Sequence, residues 1–174
     1  MKGEAWLRAE NPATVRAALL EKPPVAAKLL RRAKSPVIIL GHEASVAVLD
    51  AVVRMARATG APVVATGGIS AELARKGFTP SLVMSAMEAG DRLRDPSWEP
   101  VPGRSPPDYA FFLGIPYSIS SVIEAGLASF ARGHLRMVSL DRLFHPHCDL
   151  SLPNQTREEW EAMLAAIARE VEKG

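Results

Sequence analysis

The sequence contains very little cysteine, few aromatic residues and no long apolar run. Cys148 is the only cysteine in the chain, which excludes an intrachain disulfide and a four-cysteine metal cluster. No apolar run approaches the roughly 18–20 residues of a membrane-spanning helix, and residues 1–6 lack the apolar core of a signal peptide. We therefore expect a cytoplasmic protein without membrane association. Any iron–sulfur cluster with which it works must be bound by another chain.

The chain also lacks a strong charge of either sign. Lysine and arginine number 21 and aspartate and glutamate 19, for a net charge of +2. The densest basic cluster, Arg31, Arg32 and Lys34, lies at the end of a predicted helix, where cations suit the carbonyl end of the dipole. No basic stripe typical of nucleic-acid binding is present, so nucleic acid is not an expected partner.

What the sequence does contain is ordinary globular composition, 48% hydrophobic and 23% charged. Its 174 residues are close to the roughly 150 of a typical domain. We predict one domain over 1–174, with an N-terminal extension at 1–22. Five of the 14 prolines fall within residues 96–107, which predicts an extended loop. Such a loop suits docking or a lid, although a plain surface excursion is the simpler interpretation.

Short β-branched and apolar runs alternate with helical patterns along the chain. The runs predict buried strands at 37–40, 63–65, 109–114 and 136–140, and more strands are not excluded. Residues 70–90 read as short helices broken at Gly77 and Pro80. Strands alternating with helices of 10 to 15 residues indicate right-handed crossovers. The predicted fold is therefore a three-layer α/β, Rossmann-like domain with a mainly parallel sheet.

Apolar spacing of three and four residues predicts which face of each helix enters the core. The first helix opens at Pro23-Pro24, and the last begins at a Thr156–Glu159 capping box. The predicted core residues of the four main helices are Val25, Leu29, Leu30 and Ala33; Leu49, Val52, Val53 and Ala56; Ile119, Val122, Ile123, Leu127 and Phe130; and Trp160, Met163, Leu164, Ile167, Ala168 and Val171.

Four loops leave the carboxyl ends of the predicted strands, where ligands bind in open parallel sheets. Their candidate nucleotide- or flavin-binding residues are Gly41, His42, Thr66, Gly67, Gly68, Gly114, Tyr117, Asp141 and Arg142. We expect a diphosphate near Gly67 and Gly68, with Arg142 as the cationic partner and Tyr117 as a ring contact. The G-x-G-x-x-G and P-loop fingerprints are both missing. The alternatives are glycines that only serve their turns and an Asp141–Arg142 ion pair that closes a loop.

His145, His147, Cys148 and Asp149 fall within five residues. A metal site there needs a distant ligand, and His42 is the nearest choice if both loops share one sheet edge. A Cys148 nucleophile needs an adjacent base, which His145 or His147 satisfies in composition only. The simpler interpretation is an ordinary strand-end loop, and we predict no metal held by this chain.

Several segments resemble known families. Residues 33–41 and 60–66 resemble the central domain of thiamine-diphosphate enzymes, in a wider group similar to deoxyhypusine synthase that includes NAD- and FAD-binding members. Residues 92–98, 108–117, 139–142 and 145–154, with the Glu159-Trp160 helix, resemble the epsilon subunit of the archaeal carbon monoxide dehydrogenase, part of the acetyl-CoA decarbonylase/synthase complex. His147-Cys148, Leu143-Phe144 and Ser118-Ile119-Ser120 depart from that pattern, which weakens any role for stacking aromatics in these loops.

The resemblance implies a non-catalytic accessory subunit in a two-plus-two assembly with an alpha subunit that carries the nickel–iron–sulfur cluster. The implied roles are stabilisation of alpha and flavin-mediated electron transfer, with FAD as the candidate cofactor and no catalytic residue to carry over. Two alternatives stay open: a free-standing FAD- or nucleotide-binding protein, and a small hydrolase using Asp141, His145 or Cys148. Trp98 in the proline-rich loop is either an interface anchor or packs on its own domain.

Overall fold

A parallel β-sheet forms the centre of the molecule. The computed structural model describes residues 16–174. The strands within this range are β1 (Ala18–Leu19), β2 (Pro36–Leu40), β3 (Val63–Thr66), β4 (Leu82–Met84), β5 (Tyr109–Leu113), β6 (Arg136–Ser139) and β7 (Leu150–Ser151). They form one seven-stranded sheet in the order β1-β7-β6-β5-β2-β3-β4, with every pair parallel.

Helices cover both faces of this sheet, as a parallel sheet requires. Within residues 16–174 they are α1 (Pro23–Arg32), α2 (Val46–Thr59), α3 (Ile69–Arg75), α4 (Ala86–Arg94), α5 (Tyr117–Phe130) and α6 (Arg157–Glu172). One core lies between the sheet and α1, α2, α3 and α6. The second lies between the opposite face and α4 and α5. Alternate residues of β2 supply both cores, Ile38 and Leu40 to the first and Val37 and Ile39 to the second.

The three-layer α/β prediction is confirmed, and so are its four central strands. The Thr156–Glu159 capping box is also present, with each residue bonding the other's backbone N–H. The prediction of short helices over residues 70–90 is wrong in part, because Leu82–Met84 forms strand β4 between α3 and α4. Strands β1, β4 and β7 have two or three residues each, which is too short for periodicity to register.

The predicted core faces hold for α2 and α6 and are wrong in part for α1 and α5. In α1 the fully buried residues are Ala26, Ala27 and Leu30, while Val25 is exposed. In α5 Ile123 and Leu127 are buried, but Ile119, Val122 and Phe130 face outward. Alanines occupy core positions of α1, and the polar residues Ser120 and Glu124 occupy core positions of α5, where larger apolar residues were expected.

The remaining segments are loops and edges. Residues 96–107 contain no helix or strand, as predicted, and Trp98 is half-buried against the core beneath α4 and α5. Strand β1 lies inside the predicted extension 1–22 and pairs with β7; residues 1–15 lie outside the described residues. Within the described range, every helix is too short or too polar to cross a lipid bilayer.

Two backbone turns meet at the centre of the sheet. Gly41 follows β2 and donates its N–H to Leu113 O at 2.9 Å, and Glu43 N donates to Gly114 O at 2.8 Å. A Cβ atom on Gly41 would lie 2.1 Å from Gly114 O. Gly114 has a φ of +69°, a conformation that side chains rarely adopt. Both glycines are therefore required by the packing of the turns.

Replacing Gly41 by alanine should destabilise the protein by on the order of 3 kcal/mol, because backbone atoms and not a flexible side chain oppose the new methyl group. Gly126→Ala in α5 is the matched control, since a Cβ there meets nothing within 4 Å. It should leave stability unchanged or raise it by roughly 0.5–1 kcal/mol. Urea denaturation measures both, and equal midpoints for the two variants would contradict the packing argument.

Candidate functional site

The carboxyl edge of the sheet has its topological switch point between β2 and β5. The chain leaves β2 towards β3 and leaves β5 in the opposite direction, towards β6. Open parallel sheets bind ligands at such a switch point. Here the Gly41–Gly114 contact fills the centre of the crevice. Space for a ligand remains on the two sides of that contact, as two separate cavities.

The first cavity, of about 460 Å³, is polar. It lies beside the start of α2 and α6 and is lined by His42, Glu43, Ala44, Ser45, Asp141, Arg142, Arg157 and Trp160. The second, of about 430 Å³, is mainly apolar and is lined by His42, Thr66, Gly67, Val83, Met84, Ser85, Ala86, Ile115, Pro116 and Ile119. His42 lines both cavities, and each is within the size range of small-molecule sites.

The structure brings the predicted site residues together only in part. His42, Asp141 and Arg142 share the polar cavity, whereas Thr66 and Gly67 line the apolar one. Gly68 is exposed and precedes the seven-residue helix α3. Arg142 and Gly67 therefore line different cavities, and the diphosphate expected between them remains a prediction.

Asp141 is the most unusual group of the polar cavity. Its Oδ1 accepts the backbone N–H of Arg142 at 2.8 Å, while the Arg142 guanidinium donates to Gln155 O. The alternative of an Asp141–Arg142 ion pair is not found among the ion pairs of the described residues. Its Oδ2 is buried and has no hydrogen-bond partner among the described residues. Burial raises the pKa of Asp141 to about 6, against the opposing effects of His145 and the Arg142 N–H. A buried carboxylate oxygen without a partner is costly to the folded state.

A second buried group lies behind Asp141, on the α5 side. His145 Nδ1 lies 2.7 Å from Glu124 Oε2, and Ser120 Oγ donates to Glu124 Oε1 at 2.8 Å. All three residues are buried, and the Tyr117 ring lies against His145 with centroids 4.7 Å apart. Tyr117 is thus placed on the imidazole and does not line either cavity.

The charge state of His145 follows from this packing. Burial opposes the charged imidazole, but the charge and hydrogen bond of Glu124 and the charge of Asp141 outweigh it and raise the pKa of His145. Glu124 was missed in the sequence, because a carboxylate in an amphipathic helix suggests a surface position. The available signal was the spacing of Ser120 and Glu124, which places two polar groups on the same helix face as Ile123 and Leu127.

Two of the candidate reactive side chains in residues 145–149 are buried in the protein. Cys148 is buried, and burial together with Glu124 raises the pKa of its thiol well above the ordinary value, which suppresses the nucleophilic thiolate. His145 is fully buried and occupied by Glu124. Within residues 16–174 no three histidine, cysteine or carboxylate side chains are grouped to hold a metal ion. The hydrolase alternative therefore has no accessible nucleophile and base in this loop.

Comparison with known proteins identifies related chains. Residues 8–168 match the family described as CO dehydrogenase beta subunit/acetyl-CoA synthase epsilon subunit. The chain is 32% identical over 144 residues to the acetyl-CoA decarbonylase/synthase complex subunit epsilon of Methanothermobacter thermautotrophicus, covering 82% of each chain. It is 28% identical over 158 residues to subunit epsilon 1 of Archaeoglobus fulgidus, covering 87% of this chain and 84% of the relative.

The raised pKa of Asp141 predicts how stability changes with pH. Folding favours the protonated carboxyl, so its contribution is fully present below the ordinary value of 3.8 and is lost as pH rises through about 6. Between pH 4 and 7 the free energy of unfolding should fall by roughly 2–2.5 kcal/mol on account of this group. Asp141→Asn should remove that part of the fall and leave the later decline through the raised pKa of His145.

Urea unfolding of both proteins between pH 4 and 7.5 measures the effect. Asp91→Asn is the control, because Asp91 is exposed and pairs only with Arg94. It should follow the unsubstituted protein at every pH. Parallel stability curves for the Asp141→Asn and unsubstituted proteins would show that the carboxyl does not titrate as inferred.

Proposed function

Because the chain belongs to the CO dehydrogenase beta subunit/acetyl-CoA synthase epsilon subunit family, we propose that it is a non-catalytic accessory subunit of an acetyl-CoA decarbonylase/synthase complex. Its role there is to bind the carbon monoxide dehydrogenase alpha subunit, two copies to two, and to stabilise it. The relatives are themselves named as epsilon subunits of that complex. The observation that carries the proposal is an exposed apolar surface on one helical layer.

This surface, the α4–α5 face, lies on the outer side of α4 and α5. Phe130 is 72% exposed, Val122 62% and Met87 54%, and these residues border a shallow cavity of about 220 Å³. The nearby charges are paired within α4, Glu88 with Arg92 and Asp91 with Arg94. Aromatic and methionine side chains without net charge around them are typical of the centre of a subunit interface.

The chemistry of the residues agrees with an accessory role. With one cysteine in its sequence the chain cannot ligate an iron–sulfur cluster by itself, so the redox centre belongs to a partner. Its buried His145, Glu124 and Cys148 are shielded from any substrate. An interface that buries Phe130 and Val122 gains roughly 1.5–3 kcal/mol from each side chain. Because binding favours the folded form of the partner, it raises the partner's melting temperature.

Replacing Val122 and Phe130 together by aspartate should weaken binding of the alpha subunit by at least about 100-fold, because two charges would have to be buried. Folding should be unaffected, since both side chains are already exposed. Val46→Asp is the control, a 64% exposed valine on the opposite helical layer.

The measurement is co-purification with the alpha subunit and the melting temperature of the resulting complex. The control should bind and raise the melting temperature of alpha as the unsubstituted chain does. Unchanged binding of the doubly substituted chain would show that alpha does not dock on the α4–α5 face. Failure of the unsubstituted chain to bind alpha would contradict the subunit role itself.

A second function, binding of FAD or another nucleotide, is favoured by the two arginines that line the polar cavity. Arg142 and Arg157 would supply cations for the phosphates of such a ligand. Ile115, Pro116 and Ile119 offer an apolar wall for a ring. A bound flavin would supply electron transfer for the complex. The arginines and this wall belong to two separate cavities that are both lined by His42, and the glycine fingerprint of dinucleotide-binding folds is missing.

Arg157→Glu should weaken FAD binding at least about tenfold, because a carboxylate would replace the phosphate partner. Arg169→Glu is the control, an exposed arginine at the far end of the same helix. Titration of FAD, followed by its absorbance and fluorescence, measures both variants in the isolated chain and in its complex with alpha. Equal affinity of the two variants, or no spectral change in either sample, would contradict this assignment.

A further inference from the structure

Two cavities that the proposed function does not use lie along α1, the first of them at the amino-terminal edge of the sheet. The first, of about 550 Å³, lies between the ends of α1 and α2 and residues 103–105 of the proline-rich loop. The second, of about 400 Å³, lies between α1 and α6. Arg31 lines both cavities, so together they form one elongated depression. We refer to it as the basic groove; its cations are Lys28, Arg31, Arg32, Lys34 and Arg104.

The residues that line the basic groove carry five cations and one carboxylate, that of Glu170. Among residues 16–174 none of the five cations forms an ion pair. Three carboxylates around the groove interact with other groups. Asp108 accepts the backbone N–H groups of Lys34 and Ser35, Glu99 accepts that of Gly103, and Glu170 pairs with Lys173.

The helix dipole explains only part of this cluster. Arg31 and Arg32 lie in the last turn of α1, where cations stabilise the carbonyl end. Lys34 follows the helix, and Arg104 comes from a loop 70 residues further along the chain. Cations from separate segments have thus been gathered around one depression.

The proline-rich loop is held in position along this groove. Ser35 Oγ donates to Ser105 O at 2.6 Å, and Arg104 Nη1 donates to Gly60 O at 2.7 Å. Gly103 N donates to Glu99 Oε2 at 2.9 Å. The loop is therefore organised before any partner arrives, which lowers the entropy lost on binding.

We propose that the basic groove binds an extended acidic segment of a partner subunit in the complex. The proposal rests on the proposed subunit role. Guanidinium groups match carboxylates in paired geometry, and the elongated shape suits a chain of several acidic residues. The cations are exposed, unlike the enclosed donors of a small-anion site. A net charge of +2 gives little long-range attraction for nucleic acid.

Zero-length carbodiimide cross-linking of the assembled complex tests the contact directly. It joins lysine amines to carboxylates that already touch, so Lys28 or Lys34 should be recovered by mass spectrometry in bonds to aspartate or glutamate of another subunit. The intrachain pair Lys76–Asp50 is the internal control for the reaction. Recovery of that control without any intersubunit product from Lys28 or Lys34 would overturn the proposal.

Charge reversal tests the same contact by affinity. Arg31→Glu combined with Lys34→Glu should weaken assembly at least about tenfold at low salt, and the difference should shrink as salt rises. Neither side chain donates a hydrogen bond within the described residues, so folding should be retained, as checked by melting temperature. The matched control reverses Arg75 and Arg169, two exposed arginines outside the groove.

The outcomes separate this proposal from the subunit role. Assembly that resists reversal of Arg31 and Lys34 but fails on substitution of Val122 and Phe130 overturns the groove and retains the subunit. If the unsubstituted chain assembles with no subunit, a fluorescent 12-residue glutamate peptide and a 12-nucleotide single strand are compared on the isolated chain. Peptide binding that is lost on charge reversal supports the groove, and tighter binding of the oligonucleotide overturns it.

Discussion

The contact between the turns at Gly41 and Gly114 determines the arrangement of the whole carboxyl edge. It joins the β2 and β5 halves of the sheet through backbone atoms, at a distance that admits no side chain. It also fills the place where parallel sheets of this kind leave a crevice. The two remaining cavities, one polar and one apolar, are consequences of that closure. A ligand that used both would have to pass His42, which lines each of them.

The carboxyl edge also contains charge that the fold stabilises incompletely. Glu124 and His145 compensate one another, and Ser120 occupies the second oxygen of Glu124. Asp141 is compensated on one oxygen only. Its raised pKa means that the folded state is less stable at neutral pH than the same fold with a neutral group there. Local costs of this kind are common at binding sites, where a ligand removes them.

The central fold was predictable because its signals are continuous. Residues 37–40 and 109–113 are apolar on both faces, as a strand covered by helices on two sides must be. The edge strands were not predictable, because two or three residues are too few to show a hydrophobic periodicity. The core face of helix α5 was predicted wrongly in part because the helix has two apolar stripes. Ile123 and Leu127 form the stripe in the core, and Val122 and Phe130 form the exposed one. Its buried Glu124 was hidden for the same reason, since sequence alone does not reveal that His145 lies opposite.

The parallel architecture of the sheet separates three surfaces of this protein. A ligand cavity, a helical face and a loop edge are three different sides of the same sheet, so each can acquire residues without disturbing the others. The cavities are built by turns after the strands, and the α4–α5 face by one helical layer. The basic groove is built by α1, the ends of α2 and α6, and the proline-rich loop. The carboxyl edge depends on buried charge and a tight backbone contact. The other two surfaces are made of exposed side chains on a well-packed core, and this is why a chain without an accessible catalytic group in its buried cluster still has several surfaces available for binding.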